Sequence, residues 1–131
     1  MNRLDYRTSE ENGLSFELLV DGQPLGLLVG ARDTIIPYWI IEDDLPYFPP
    51  NWKDHDPEIR IVTVCSCGDE GCGSTQCRVI REGDLVLFRD FDYDASAEGA
   101  KKVFRFSRHN YDAVVAEIVR QAKEYTTNRD P

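Results

Sequence analysis

The chain has no apolar run close to the roughly 20 residues that a membrane-spanning helix needs. The N-terminal stretch MNRLDYRTSEENG contains no apolar segment of the kind found in secretory signals. Histidine occurs only twice, as His55 and His109, and no G-x-S-x-G, H-E-x-x-H or phosphate-cradling glycine motif is present. These absences predict a cytoplasmic protein that does not enter a membrane, and they favour a role other than catalysis.

Basic residues are scarce relative to acidic ones. Fifteen Lys and Arg residues stand against 24 Asp and Glu residues, so the formal net charge at pH 7 is −9. Phosphate backbones and anionic membrane surfaces require the opposite sign, so neither is expected as a partner. A basic protein would be attracted and its association accelerated. The alternative is that the acidity only keeps the protein in solution.

The chain is long enough for a packed core, and its composition predicts a single domain spanning residues 1–131. Hydrophobic residues make up 41% of the 131 positions, and both signs of charge are spread along the chain. The polar ends, residues 1–12 and 126–131, are expected to be frayed.

Hydrophobic periodicity predicts an α+β fold, with an antiparallel sheet of about five or six strands and a C-terminal amphipathic helix packed on one face. Alternation or β-branched residues predict strands at 14–20, 25–30, 35–42 (as an edge strand containing Pro37), 58–67, 74–83, 84–94 and 103–106. Asp21-Gly22 and Gly83-Asp84 carry hairpin-turn chemistry. Apolar residues at three-and-four spacing predict a helix that begins after Ser107 as N-cap.

The segment between residues 38 and 52 has the highest density of aromatic residues in the chain. Aromatic side chains beside acidic ones can form a surface that binds a protein partner, although such a segment more often folds over the sheet and buries its rings. The residues predicted to contact a partner are Trp39, Asp43, Asp44, Tyr47, Phe48 and Trp52.

All four cysteines fall in one window, VCSCGDEGCGSTQC. Four thiolates can bind zinc tetrahedrally at sulfur–metal distances of about 2.3 Å, and glycines could let the chain turn back so that Cys65 lies opposite Cys77. The spacing C-x-C-x4-C-x4-C lacks the C-x2-C of common zinc sites. A disulfide or redox pair and four reduced, buried thiols are the other two interpretations. The candidate zinc ligands are Cys65, Cys67, Cys72 and Cys77.

The turn CGDEGCG resembles a C-G-x-x-G-C-G turn in a family of small bacterial proteins to which no activity is assigned. In that family an apolar strand precedes the turn, and an RDF-like strand end and a C-terminal helix follow it, as Arg89-Asp90-Phe91 and residues 108–125 do here. The resemblance covers roughly the last seventy residues and implies no function.

Three functional hypotheses follow. The first is a small, acidic, cytoplasmic binding module, of the immunity or antitoxin kind, that meets a basic protein partner. The second is a structural domain stabilised by zinc at the cysteine window, and the third is a thiol-dependent redox protein.

Overall fold

The computed structural model describes residues 1–10, 13–31, 35–38, 58–64, 74–93 and 95–129. They form an antiparallel sheet with a C-terminal helix packed against it, so the predicted α+β class is confirmed. The elements are β1 (Leu4–Ser9), β2 (Ser15–Val20), β3 (Gln23–Pro24), α1 (Leu25–Leu28), β4 (Ile35–Pro37), β5 (Glu58–Val64), β6 (Ser74–Glu82), β7 (Leu85–Tyr93), a 3-10 turn (Gly99–Lys101), β8 (Phe104–Ser107) and α2 (Arg108–Arg129).

The described residues contribute eight strands to the sheet, more than the five or six expected. Seven lie in the order β1-β2-β4-β5-β6-β7-β8, and β3 pairs separately with β2. Both predicted hairpin turns are present, with positive φ angles at Asp21 (52°), Gly22 (83°) and Gly83 (59°). Since such angles suit Gly, Asn and Asp, the turn residues were a reliable signal.

Two central elements differ from expectation. A strand was expected at residues 25–30, but residues 25–28 form helix α1. The second strand of the hairpin with β2 is the two-residue β3. Leu25 and Val29, four residues apart, are both fully buried, a spacing that places them on one side of a helical turn. Strand β4 was expected at the edge of the sheet, but it lies between β2 and β5. Pro37 is tolerated there because it occupies the last position of a short strand.

Residues 1–12 and 126–131 were expected to be frayed, but most of the described residues in these ranges belong to regular elements. Strand β1 pairs with β2 over six residues, from Leu4 opposite Val20 to Ser9 opposite Ser15, and α2 continues to Arg129. The sequence signal in β1 is weak, because only Leu4 and Tyr6 are apolar. Pairing with β2 therefore decides that this segment is a strand.

The two edge strands of the sheet, β1 and β8, are connected through the N-terminal residues. Asn2 bridges Phe106 of β8, with its backbone N–H donating to the Arg105 carbonyl at 2.7 Å. The side-chain amide of Asn110, in the first turn of α2, then makes both backbone hydrogen bonds of Leu4. The Leu4 N–H donates to Asn110 Oδ1 at 2.7 Å, and Asn110 Nδ2 donates to the Leu4 carbonyl at 2.9 Å. Asn110 thus replaces a neighbouring strand at this point.

A bulge in β7 places two phenylalanines in the core. Gln76 pairs with Asp92 and Arg78 with Arg89, so one residue of β6 faces two of β7. Asp90, with φ 56°, absorbs the extra length. Strict alternation would put Phe88 and Phe91 on opposite faces, yet both are at least 97% buried.

Helix α2 covers the core with its apolar stripe. The predicted N-cap is present, because the Asn110 backbone N–H donates to Ser107 Oγ at 3.0 Å. Tyr111, Ile118 and Ala122 are almost completely buried. An edge-to-face aromatic contact connects the helix to the sheet, with a centroid distance of 5.8 Å from Tyr111 to Phe88. Within the sheet, Phe88 makes a second such contact with Phe106 of β8 at 5.0 Å.

Candidate functional site: the groove between β1 and α2

The structure gives a position for one of the four cysteines. Cys77 lies on β6 and belongs to the hydrophobic core, with 1% of its surface exposed. It carries a free thiol. Burial, with a smaller contribution from the charge of Asp90, raises the pKa of this thiol well above its usual value. A reactive thiol needs the opposite shift, so Cys77 is placed as an inert core residue.

The register of the β5–β6 pair determines which residue lies opposite Cys77. Cys77 pairs with Arg60, and the pair closest to the connecting segment is Val64 with Ser74. Cys77 therefore lies opposite Arg60 and not opposite Cys65, the register that convergence of the four thiols would need. Cys77 lies three residues, or about 10 Å, from the end of the paired region. Sulfur ligands of one zinc ion lie within about 4.6 Å of each other, twice the Zn–S distance.

Cys65, Cys67 and Cys72 lie outside the described residues, so the four-cysteine zinc site stays a prediction. Within the described ranges, no group of three or more His, Cys, Asp and Glu side chains is arranged to hold a metal ion.

The predicted partner-binding residues Trp39, Asp43, Asp44, Tyr47, Phe48 and Trp52 also lie outside the described residues. The residue just before them is placed. The ring of Tyr38 packs edge-to-face on Tyr125 of α2, with centroids 4.8 Å apart. Tyr38, the last described residue before that segment, therefore lies beside the C-terminal half of α2.

A polar groove of about 340 Å³ lies at this same place, between β1 and the C-terminal half of α2. We call it the β1–α2 groove. Its lining residues come from both ends of the chain, namely Thr8, Glu10, Leu14, Arg120, Gln121, Glu124, Tyr125 and Asn128. The groove was not predicted from the sequence, because residues 1–12 were expected to be frayed and α2 then has no strand beside it on that side.

Arg120 organises the charges on the helical wall of the groove. Its guanidinium donates to Glu117 and, at 2.7 Å, to Glu124. Hydrogen bonds from Arg120 and from Gln121 lower the pKa of the Glu117 carboxyl, and Glu117 in turn raises the pKa of Arg120. The charges of Glu117 and Arg120 are consequently present at neutral pH. With Glu10, the groove and its immediate border carry three carboxylates and one guanidinium, a net charge of −2.

Gln121 connects the helical wall to β1. Its side-chain amide donates to the hydroxyl of Tyr6 and also, at 3.3 Å, to Glu117. Burial and the nearby charge of Glu117 raise the pKa of Tyr6, so the phenol remains protonated at neutral pH. This contact closes the helix onto β1 at Tyr6, and the groove opens beyond it, at Thr8 and Glu10.

A second, smaller groove of about 190 Å³ lies on the opposite face of β1 and β2. Arg7 and Glu17 form an ion pair across the two strands there. That pair satisfies the two charges lining this face, which makes it the weaker candidate for a binding site.

Comparisons with protein-family models, with curated proteins and with solved structures find no match for this chain. Among the described residues, no helix is both long and apolar enough to cross a membrane.

Proposed function

We propose that the protein is a small acidic module that binds a basic protein partner, and that its acidic charge is concentrated in two segments of the chain. The observation that carries this is the distribution of charge. The chain carries 24 acidic and 15 basic side chains, an excess of nine negative charges.

Most of that excess lies in two segments. Residues 39–57 carry five carboxylates and one lysine, and residues 65–73 carry two carboxylates. Acidity that served only to keep the protein in solution would be spread over the whole surface. Concentration in two segments, one of which also contains Trp39, Tyr47, Phe48 and Trp52, is typical of a surface that combines electrostatic attraction with aromatic contacts.

A cytoplasmic immunity or antitoxin role is the form of this function that the charge favours, because such a protein neutralises a basic partner by rapid association. Opposite charges raise association rates by steering the encounter, and salt weakens that effect.

The test compares two triple variants that change the net charge equally. One removes the charges of the 39–57 segment (E42Q/D43N/D44N), and the control removes three exposed charges of the described fold (E82Q/D84N/E98Q). The probe is fluorescein-labelled octalysine, and the readout is fluorescence anisotropy in low salt and in physiological salt.

We expect the segment variant to lose about tenfold in affinity at physiological salt and the control variant at most about twofold, because charges farther than about 8 Å from the contact are largely screened there. Equal losses would show that only the overall charge matters and would refute a localised binding surface. Binding of wild-type protein that is insensitive to salt would also contradict the proposal.

A further inference from the structure

Strand β1 exposes backbone hydrogen-bonding groups on the side away from β2. In an antiparallel pair, alternate residues direct both their N–H and their C=O away from the partner strand. Leu4 is such a residue, because both of its backbone groups bond to Asn110. Tyr6 and Thr8 follow at two-residue intervals in the same continuous ladder, so their backbone groups face the same side.

The fold covers this side of β1 at Leu4 and Tyr6 but leaves it open at Thr8. Asn110 occupies both Leu4 groups, and the Tyr6 N–H donates to Asp5 Oδ1 at 2.9 Å. At Thr8, which is exposed, the β1–α2 groove begins. Among the strands that the structure describes, β1 pairs only with β2 along this stretch. The N–H and C=O of Thr8 therefore point away from β2, at a residue that lines the groove.

We infer that the β1–α2 groove binds an extended, basic peptide segment of the partner, which adds a short strand to β1 at Thr8. Strand addition beside a helix is an established way to recognise peptides, in which backbone hydrogen bonds supply affinity and pockets for alternate side chains supply specificity. An extended peptide rises about 3.3 Å per residue, so three or four residues span the open part of β1. This inference rests on the proposed function and names the surface that performs it.

The groove's charge selects a cationic side chain. Glu10 stands on the strand side and Glu124 on the helix side. Arg120, the basic residue of the lining, is held by Glu117 and Glu124, so it does not supply a free positive charge. The C-terminal half of α2 also carries the negative end of the helix dipole, which favours a lysine or arginine there. An acidic segment would meet a net charge of −2 and be excluded.

The probe is a labelled peptide of alternating valine and lysine residues, measured by fluorescence anisotropy with the full-length protein. A second version carries N-methyl groups at alternate residues, which remove the backbone donors without changing the charge. A third version replaces lysine by glutamate. We expect about tenfold weaker binding after N-methylation, the loss of one or two hydrogen bonds, and no measurable binding of the glutamate peptide.

Substitutions at Thr8 separate backbone pairing from side-chain effects. Thr8→Pro removes the N–H at a position whose N–H does not serve the β1–β2 ladder, and edge strands tolerate proline at such positions. Thr8→Val keeps the N–H and is the matched control. We expect about tenfold weaker peptide binding for Thr8→Pro, a change within about twofold for Thr8→Val, and about threefold weaker binding for Glu124→Gln.

The outcomes distinguish this inference from the proposed function. E42Q/D43N/D44N can weaken binding of octalysine while neither N-methylation of the valine–lysine peptide nor Thr8→Pro weakens binding of that peptide. In that case the acidic binding role stands and the strand-addition site is wrong. If Thr8→Pro fails to fold, the N-methylated peptide and Glu124→Gln still decide the question. Self-association of the wild-type protein that Thr8→Pro abolishes would show that a second copy occupies this edge, and would overturn the inference.

Discussion

The side chain of Asn110 should contribute as much to stability as a large core residue, although it is polar and only partly buried. Asn110→Ala removes two hydrogen bonds, to the N–H and the C=O of Leu4, at 2.7 and 2.9 Å. Each contributes about 0.5–1.5 kcal/mol net, and the partly buried backbone groups left behind move the cost towards the upper end. Because alanine has a higher helix propensity than asparagine, the substitution also adds about 0.5 kcal/mol to the free energy of unfolding. The expected loss of unfolding free energy is about 2 kcal/mol.

Urea denaturation followed by far-UV circular dichroism measures this loss. With an m-value of about 2 kcal/mol/M, the midpoint should fall by about 1 M while the slope stays unchanged. His109→Ala is the control, because His109 is exposed and occupies the preceding position of the same helical turn. It should change the unfolding free energy by at most about 0.5 kcal/mol. Equal, small effects of both substitutions would refute the role assigned to the Asn110 amide.

The two hydrogen bonds of the Asn110 amide can be separated by measuring how the stability of Asn110→Asp depends on pH. Its oxygen accepts from the Leu4 N–H, and its nitrogen donates to the Leu4 carbonyl. Asn110→Asp keeps an oxygen for the Leu4 N–H but places a carboxylate oxygen against the Leu4 carbonyl. The protonated carboxyl can donate there, so folding should raise the pKa of the new group above its unfolded value of about 3.9. The folded state then binds protons more tightly. Relative to wild type, the variant should therefore recover stability as the pH falls from 7 towards 4, and a constant difference would contradict this account.

Three further predictions concern the core. Gly99→Ala should lower the free energy of unfolding by about 3 kcal/mol, because a Cβ there would lie 1.9 Å from the backbone oxygen of Val29. In the control, Gly22→Ala, the new Cβ would have no atom within 4 Å, so only the positive φ costs stability, about 1 kcal/mol. Thermal unfolding compares the two, and equal costs would contradict the close approach. Thr75→Val should stabilise the protein by about 1 kcal/mol, because the buried Thr75 hydroxyl has no hydrogen-bond partner among the described atoms. Urea titration measures this change, and destabilisation would show that the hydroxyl is bonded. Cys77 should react with iodoacetamide only after unfolding, because its thiol is buried and its pKa is raised. Peptide mapping by mass spectrometry follows this reaction, and rapid labelling of the native protein would contradict it.

Most of the sheet and the long helix could be predicted from the sequence, because their signals are local. Alternate burial of Phe16, Leu18 and Val20 follows from period-2 hydrophobicity in β2. The Asp21-Gly22 turn follows from the positive φ angles that these residues tolerate. The start of α2 follows from the Ser107 hydroxyl, which bonds to the backbone of the first helical turn.

The candidate site was not predictable in the same way, because its two walls are 112 residues apart, with Thr8 on one side and Arg120 on the other. Residues 4–9 have only two apolar side chains, too few for a periodic signal. Their strand depends on pairing with β2 and on the Asn110 amide, and neither contact can be read from neighbouring residues. The same reasoning applies to α1, where the sequence of residues 25–28 suits a strand or a helical turn equally well.

By itself, the sequence determined which segments alternate, where the chain turns, where α2 begins and where the acidic charge lies, since each of these depends on residues close together in the chain. The tertiary structure alone decided the strand order, the groove beside Thr8, the position of Cys77 opposite Arg60, and the β7 bulge that turns both Phe88 and Phe91 into the core. These features depend on register between distant segments. A shift of one residue in register reverses the face on which every following side chain lies, and only the packed core selects among the alternatives.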